Sequence, residues 1–359
     1  MPEPLVDHII AVHDPARPLA RAVGSVLNYT RSAVRVSVVC HNTDPGAITR
    51  NLGELVHDER MRLLTIEDGI PSPAGPFNAG LEAATAKFTS IMGSDDELQP
   101  GAIDSWLALQ RRAEADVVIP RLAHARGTPV ATPPTRPFRT QSLDGLRDRL
   151  SYRSAPLGLV SRERFGSLRM MGGLPSGEDV EYATAVWFSG ARIAFDRRGP
   201  AYLIHDDAED RVTFATRSIA DDLEFMRRLL GGEVVRGLDA RQRTALVVKL
   251  FRVHLFALVH NRPTVELWSV AERTALALGV QRCIDAAPAA LTFLSQADRS
   301  LVDAMSNPHV PDRQLLAAAV RRRRFGRPST LIPRTFGRLL AREAPLRMMA
   351  ASMLVRVGR

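Results

Sequence analysis

The sequence predicts an α/β domain built on a mostly parallel sheet, followed by an α-helical region. Three observations predict it. In the first 215 residues, short β-branched or apolar runs alternate with stretches whose apolar residues recur at helical spacing. Beyond residue 219 the strand-like runs fade, and segments 221–230, 241–260, 265–278 and 313–324 carry helical periodicity. A chain of 359 residues also suits two domains of ordinary size. The expected division is 1–215 for the α/β domain and 216–359 for the helical region, with a basic tail over 321–359.

Taken in order, residues 8–12 form an apolar run that ends at His13-Asp14-Pro15. Leu19, Val23, Val26 and Leu27 are spaced for a helix over 15–28, with Asp14 as its cap and Pro15 in its first turn. Residues 34–39 are β-branched, and Asn42 to Gly46 breaks them. Residues 63–66 read as a strand, 68–76 as a Gly/Pro loop, and 78–86 as a helix. A strand over 88–92 ends at Gly93-Ser94-Asp95-Asp96. A helix over 101–112 and a strand over 117–119 follow. Residues 128–138, with four prolines, form a loop. A strand over 191–195 closes the domain, followed by the run Tyr202-Leu203-Ile204-His205.

Composition excludes several classes. With 45% hydrophobic and 24% charged residues, the chain is globular and not disordered. Cys40 and Cys283 form no zinc spacing and no disulfide framework, which fits a reducing cytoplasm. The first residues lack a secretory leader pattern, and no apolar run is long enough to span a bilayer. The net charge is +9, but residues 321–359 hold eleven Arg and a single acid, Glu343, which sums to +10 there. The rest therefore carries about −1, so specific nucleic-acid binding is not expected.

Ser94-Asp95-Asp96 lies where open α/β sheets bind ligands, beyond the carboxyl end of a strand. Adjacent carboxylates repel unless a cation or polar ligand compensates them, and a divalent metal shared with diphosphate oxygens would do so. The alternative is a solvated turn that caps the next helix. A second acidic motif, Gly177-Glu178-Asp179, opens a helix bearing Val180, Ala183, Val186 and Trp187. A carboxylate there is held ionised by the helix dipole and can serve as a general base. Ser176 and Asp179 also match a capping box, which needs no chemistry.

The order of Asn78-Ala79-Gly80, a strand, Ser94-Asp95-Asp96, Pro100 and Glu178-Asp179 resembles the inverting family-2 glycosyltransferases of GT-A fold, over roughly residues 5–215. The resemblance implies a nucleotide-sugar donor, a glycan or lipid-linked acceptor, and Mn²⁺ or Mg²⁺. It places Asp96 on the metal with His205, and Asp95 and Asn78 on the donor together with Ala11, His13 and His41. Asp179 becomes the base, with Gly177 and Glu178 on the acceptor side. UDP is the first expectation for the donor. However, the acidic pair that reads uracil in the family is replaced here by Cys40-His41-Asn42-Thr43-Asp44, and either His41 or Asp44 could stand in for it. The family's Ser/Thr-containing segment after the histidine would fall at Arg211-Val212-Thr213.

A nucleotidyltransferase would need a Gly-rich loop after the first strand, and His13 to Pro18 has no glycine. A non-catalytic scaffold would not need Asp95, Asp96 and Asp179. In the tail, basic residues beside an apolar helical face (346–356) suit contact with a membrane surface, which would place the protein at the inner face of the membrane. The alternative is that this helix packs on the protein and Arg321 to Arg324 form a solvated face or a flexible arm.

Overall fold

The computed structural model describes residues 3–128, 130, 135–207 and 217–357. They cluster into two compact units. Residues 3–128, 139–143 and 153–207 form the first, and 135–138, 144–152 and 217–357 the second. Two short segments from within the first 215 residues thus join the helical unit. Much of the proline-rich stretch and all of 211–213 lie outside the described residues.

In the first unit, β1 (Val6–Val12), α1 (Leu19–Leu27), β2 (Val34–His41), α2 (Pro45–Leu52), β3 (Met61–Ile66), α3 (Ala74–Glu82) and β4 (Phe88–Gly93) follow one another. Their four strands pair in parallel. Next come β5 (Glu97–Leu98), α4 (Ala102–Ala113), β6 (Val117–Pro120), β7 (Leu122–His124), β8 (Leu159–Ser161), α5 (Arg162–Phe165), α6 (Val180–Phe188), β9 (Ile193–Asp196) and β10 (Tyr202–Ile204). The main sheet has seven strands in the order β3-β2-β1-β4-β8-β6-β9. β6 and β9 are parallel, while β8 lies between β4 and β6, antiparallel to both. A three-stranded sheet, β5-β10-β7, stands beside it. The architecture is the mostly parallel, helix-flanked sheet of a GT-A fold.

β1 and β2 are buried along nearly their whole length, as strands covered by helices on both faces must be. Val6, Ile10 and Val12 pack with Val23, Val26 and Trp106 in one core. Each such aliphatic side chain removed from water contributes about 1.5–3 kcal/mol. The opposite face of β1 carries a buried charge. Asp7 is fully buried, and its carboxylate accepts from Arg35 Nε at 2.6 Å and Nη2 at 2.8 Å. It also accepts from the backbone N–H of Thr85 at 2.7 Å and of Ala86 at 2.8 Å. Burial alone would raise its pKa, but Arg35 and the two N–H groups outweigh it and hold Asp7 below the usual carboxylate range. The turn before β4 is thereby pinned to β1. On the same face of β1 as Asp7, a Cβ on Gly80 would stand 2.3 Å from Ile9 Cγ2. Glycine lets α3 lie that close to the strand.

Several boundaries differ from the reading of the sequence. The first helix starts at Leu19, not Pro15, and Pro18 precedes it without a side-chain cap. Asp14 instead accepts from Ala16 N at 2.8 Å, closing a short turn. The helix carrying Asn78 starts at Ala74 and ends at Glu82, so it consumes part of the expected loop. No Asp caps α4, whose N-cap is Gly101 in a left-handed conformation.

The second unit is helical. Ala240–Lys249, Leu250–Leu255 and Phe256–His260 run on as one rod, with the middle part wound as a π-helix. Of the polar residues that interrupt its apolar pattern, Lys249 is fully buried and Arg252 and His254 are half-buried. Lys249 Nζ lies 2.8 Å from His254 Nε2, and burial first, then Lys249, holds His254 well below its ordinary pKa, so the neutral ring accepts. Arg252 donates to Tyr152 Oη at 3.1 Å and to the Glu343 carbonyl at 2.8 Å. Val270–Ala286, Gln296–Ser306 and Asp312–Arg322 continue the unit. Its last part is folded onto it. Glu343 and Ala344 are buried, Arg322 pairs with Asp298 at 2.7 Å, and Arg334 with Asp303 at 2.6 Å. No helix among the described residues is long and apolar enough to cross a membrane.

Candidate active site

A cavity of about 530 Å³ opens at the carboxyl ends of β1, β2 and β4, where parallel strands present ligand sites. Ala11, Val12 and His13 line it from β1 and the turn after it, His41 and Asn42 from β2, and Gly93 to Asp96 from β4. Arg17, Ile204, and Pro71, Ser72, Pro73, Pro76 and Phe77 complete the wall. In this sheet β1 separates β2 from β4, so the two polar sides of the cavity stand two strand spacings, about 10 Å, apart.

On the β4 side, Asp95 Oδ1 is 3.2 Å from Arg17 Nη1, and its carbonyl accepts from Arg21. Asp96 Oδ2 accepts from Tyr202 Oη at 2.6 Å, and Asp96 Oδ1 from the His205 backbone N–H at 3.2 Å. Burial, then the Asp96 charge, raises the Tyr202 pKa well above the ordinary phenol value, so Tyr202 stays a donor. The strand that carries Tyr202 reaches Asp96 because β10 pairs with β5, with Tyr202 opposite Leu98. Sequence reasoning notes Tyr202 only as the start of the run that ends at His205, since nothing local marks a partner 106 residues away. A Cβ on Gly93 would come within 2.9 Å of Asp95 Oδ1, so the glycine keeps room for both carboxylates.

His205 meets Asp96 through its backbone, while its ring Nε2 lies 3.0 Å from Glu97 Oε2 and Nδ1 3.9 Å from Asp207 Oδ2. Among the described residues, no group of three or more His, Cys, Asp or Glu side chains could by itself hold a metal. A Mn²⁺ or Mg²⁺ ion that takes one protein carboxylate, diphosphate oxygens and water needs no such group. Asp96, oriented by a phenol and a backbone N–H, fits that requirement.

On the β2 side, His41 Nε2 lies 2.8 Å from Asp68 Oδ1. Asp44, the other residue considered for this place, is the N-cap of α2 and accepts from Gly46 N and Ala47 N. Asp68 sits just past β3 in the Gly/Pro loop, and no local pattern in the residues marks its pairing with His41.

Asn78 does not line the cavity. Its amide donates to the Met170 carbonyl at 2.9 Å and accepts from Met170 N at 2.8 Å. It thus clasps the segment leading into Gly172-Gly173, a loop that closes where Met171 N donates to the Glu178 carbonyl at 3.0 Å. Asp179 is itself the N-cap of α6, with no side-chain capping bond, so Ser176 and Asp179 do not form a capping box. Gly177 has φ +75°. Gly177, Glu178 and Asp179 are not part of the lining described above.

A cavity at the carboxyl ends of parallel strands, with paired carboxylates on its wall, is the arrangement in which open α/β sheets bind ligands. Comparison with known proteins points to one family. The sequence model described as "Glycosyl transferase family 2" matches residues 8–169, so this part of the chain is similar to the family-2 glycosyltransferases. "Succinoglycan biosynthesis protein ExoO" of Rhizobium meliloti (strain 1021) is 28% identical over 119 residues. The match spans 33% of this chain and 33% of that relative, so the chain covers about a third of the curated relative's length. Among solved structures, S. aureus TarS 1-349 in complex with UDP-GlcNAc aligns with a TM-score of 0.73 at 16% identity, over 90% of this chain and 93% of that one. The same fragment in complex with UDP aligns with a TM-score of 0.68 at 17% identity, over 90% and 93% of the two chains. At that identity the likeness shows the fold.

Proposed function

We propose that the chain transfers a sugar from a nucleotide-diphosphate sugar to a hydroxyl of a glycan or lipid-linked acceptor, with inversion, in the synthesis of a polysaccharide or cell-envelope glycan. The observation that carries this reading is Asp95-Asp96, set by Arg17 and Tyr202 at the mouth of a cavity large enough for a nucleotide. The names of the ExoO relative and the TarS complexes support the same class of donor and product.

In this reading Arg17 and Asp95 position the nucleotide, and His13 and Ala11 border it. Asp179, at the N-terminus of α6, takes the proton of the acceptor hydroxyl as that oxygen bonds to the anomeric carbon. The bond from that carbon to the diphosphate oxygen breaks as the new one forms, which inverts the centre. Asp96 would hold Mn²⁺ or Mg²⁺, which when bound neutralises charge on the departing diphosphate. Asn78 acts on the acceptor loop through Met170. The site would face the cytoplasm, with Arg321, Arg324 and the exposed Phe325, Phe336 and Leu340 meeting the inner face of the membrane. Loss of liposome binding in Arg321→Glu/Arg324→Glu/Phe325→Ser would support that contact, and unchanged binding would remove it.

The test of the activity is a thermal-shift panel of UDP, GDP, dTDP and CDP, each with and without Mn²⁺, on the native protein and Asp96→Ala. A ligand at 100 times its Kd adds about 2.7 kcal/mol of stability. Metal-dependent stabilisation that Asp96→Ala abolishes is the expected result. No stabilisation by any of them at millimolar concentration would defeat the reading.

A further inference from the structure

The β2 side of the cavity contains a hydrogen-bonded set that fixes one proton. Asp68 Oδ1 accepts from Ile70 N at 2.9 Å and from Asn42 Nδ2 at 3.1 Å, and it lies 2.8 Å from His41 Nε2. Asn42, in the left-handed region at φ +51°, accepts at Oδ1 from the N–H groups of Asp68 and Gly69, both at 3.0 Å. The loop is thereby tied to the end of β2. A Cβ on Gly75 would stand 2.5 Å from Asp68 Oδ2, so α3 accommodates the carboxylate only because that position is glycine. The Ile70 N–H first, and then His41, bring the Asp68 pKa down to about 2, so this carboxylate is ionised and only accepts.

A nitrogen and an ionised carboxylate oxygen 2.8 Å apart need a proton between them, and it must be on His41 Nε2. In the neutral ring, Nδ1 then carries the lone pair. The Asn42 amide, 2.9 Å from the same Nε2, cannot donate to a nitrogen that already bears hydrogen, and its hydrogen goes to Asp68. His41 lines the cavity beside Pro71, Pro73, Pro76 and Phe77, an apolar wall suited to a flat heterocycle.

We propose that Asp68 sets the tautomer of His41 so that Nδ1 accepts a ring N–H from the donor's base, selecting uracil, thymine or guanine over cytosine and adenine. This rests on the glycosyltransferase reading above, which makes this side of the cavity the place of the base. Uracil, thymine and guanine present a ring N–H. Cytosine and adenine present a ring nitrogen lone pair, which would face the Nδ1 lone pair. A site built to accept a hydrogen bond discriminates against a ligand that cannot donate one.

Calorimetric affinities for UDP, dTDP, GDP, CDP and ADP with Mn²⁺ test the assignment. At least one of the first three is expected to bind about tenfold or more tightly than CDP and ADP. Asp68→Asn, which keeps an acceptor oxygen, should retain the preference, and Asp68→Leu should lose it. The ¹⁵N spectrum of the histidine rings, with the His41 signals assigned from His41→Gln, reads the tautomer in the native protein without relying on a foldable Asp68 variant. A proton on Nε2 is expected, and a proton on Nδ1 overturns the proposal. CDP or ADP binding as tightly as the rest also overturns it while leaving the transferase reading intact. If none of the five binds, the transferase reading fails, and this proposal fails with it.

Discussion

The two polar sides of the cavity are built in opposite ways. On the β4 side two carboxylates adjoin in the chain, and their partners come from afar, Arg17 from the turn before α1 and Tyr202 from β10. On the β2 side the charged group itself comes from afar. Asp68 reaches His41 from beyond β3, 27 residues on, because β2 and β3 run parallel in register, with His41 opposite Ile66. Adjacent carboxylates announce a site in any sequence, because chain connectivity forces charges together that would otherwise separate. A His–Asp pair assembled across two strand ends announces nothing until the register is known. The first arrangement holds charge, and the second fixes hydrogen-bond direction.

The largest expected effect lies outside both sides. Asp179→Asn should lower kcat by about 10²–10⁴-fold, as loss of a general base does, while leaving donor affinity unchanged. Turnover within tenfold of native would mean that another group takes the proton. Tyr202→Phe comes next. Removing the donor that orients Asp96 should weaken Mn²⁺-supported binding about 10–100-fold, by one factor for all nucleoside diphosphates. If base preference changed as well, the two sides would not be independent.

The strand between the two sides supplies a third test. His8 on β1 is fully buried, and burial lowers its pKa from 6.5 to about 3. The folded protein therefore resists a proton that the unfolded chain accepts, so stability declines as pH falls from 6.5 toward about 3. At a pH about 2 units below 6.5 the loss should be about 2–3 kcal/mol. Urea unfolding of native protein and His8→Leu at neutral and acidic pH measures it, and a loss equally steep in the variant would assign it elsewhere. The smallest effect belongs to Asp68. With its pKa down to about 2 against an ordinary 3.8, it contributes stability above 3.8 that is lost as pH falls through about 2. Carboxyl NMR should show it ionised at pH about 3, and titration near 3.8 would contradict its contacts with Ile70 and His41.

The same contrast explains what can be read from the residues alone. The alternation of strands and helices, the fold class and the position of Asp95-Asp96 at a strand end are local patterns, and they are readable. β8 is three residues long, too short for any periodicity, and its antiparallel seat between β4 and β6 depends on pairing alone. Asp14 has the look of a helix cap, but its side chain closes the turn at Ala16 and the helix begins after Pro18. Asn78 stands out within its motif, yet its partner Met170 is 92 residues away. Lys249, Arg252 and His254 read as breaks in an apolar helix, but they are satisfied inside the second unit.

Gly80 has a wider reach than its size suggests. The helix it seats against Ile9 also bears Phe77 and Pro76 on the cavity wall, Gly75 against Asp68, and the amide of Asn78 on Met170. Wall, carboxylate and loop clasp therefore ride on one rigid body whose height above the sheet is set by a missing methyl group. An alanine at that position would lift all three together, so a single added methyl group would shift the cavity wall, the Asp68 contact and the Met170 clasp at once.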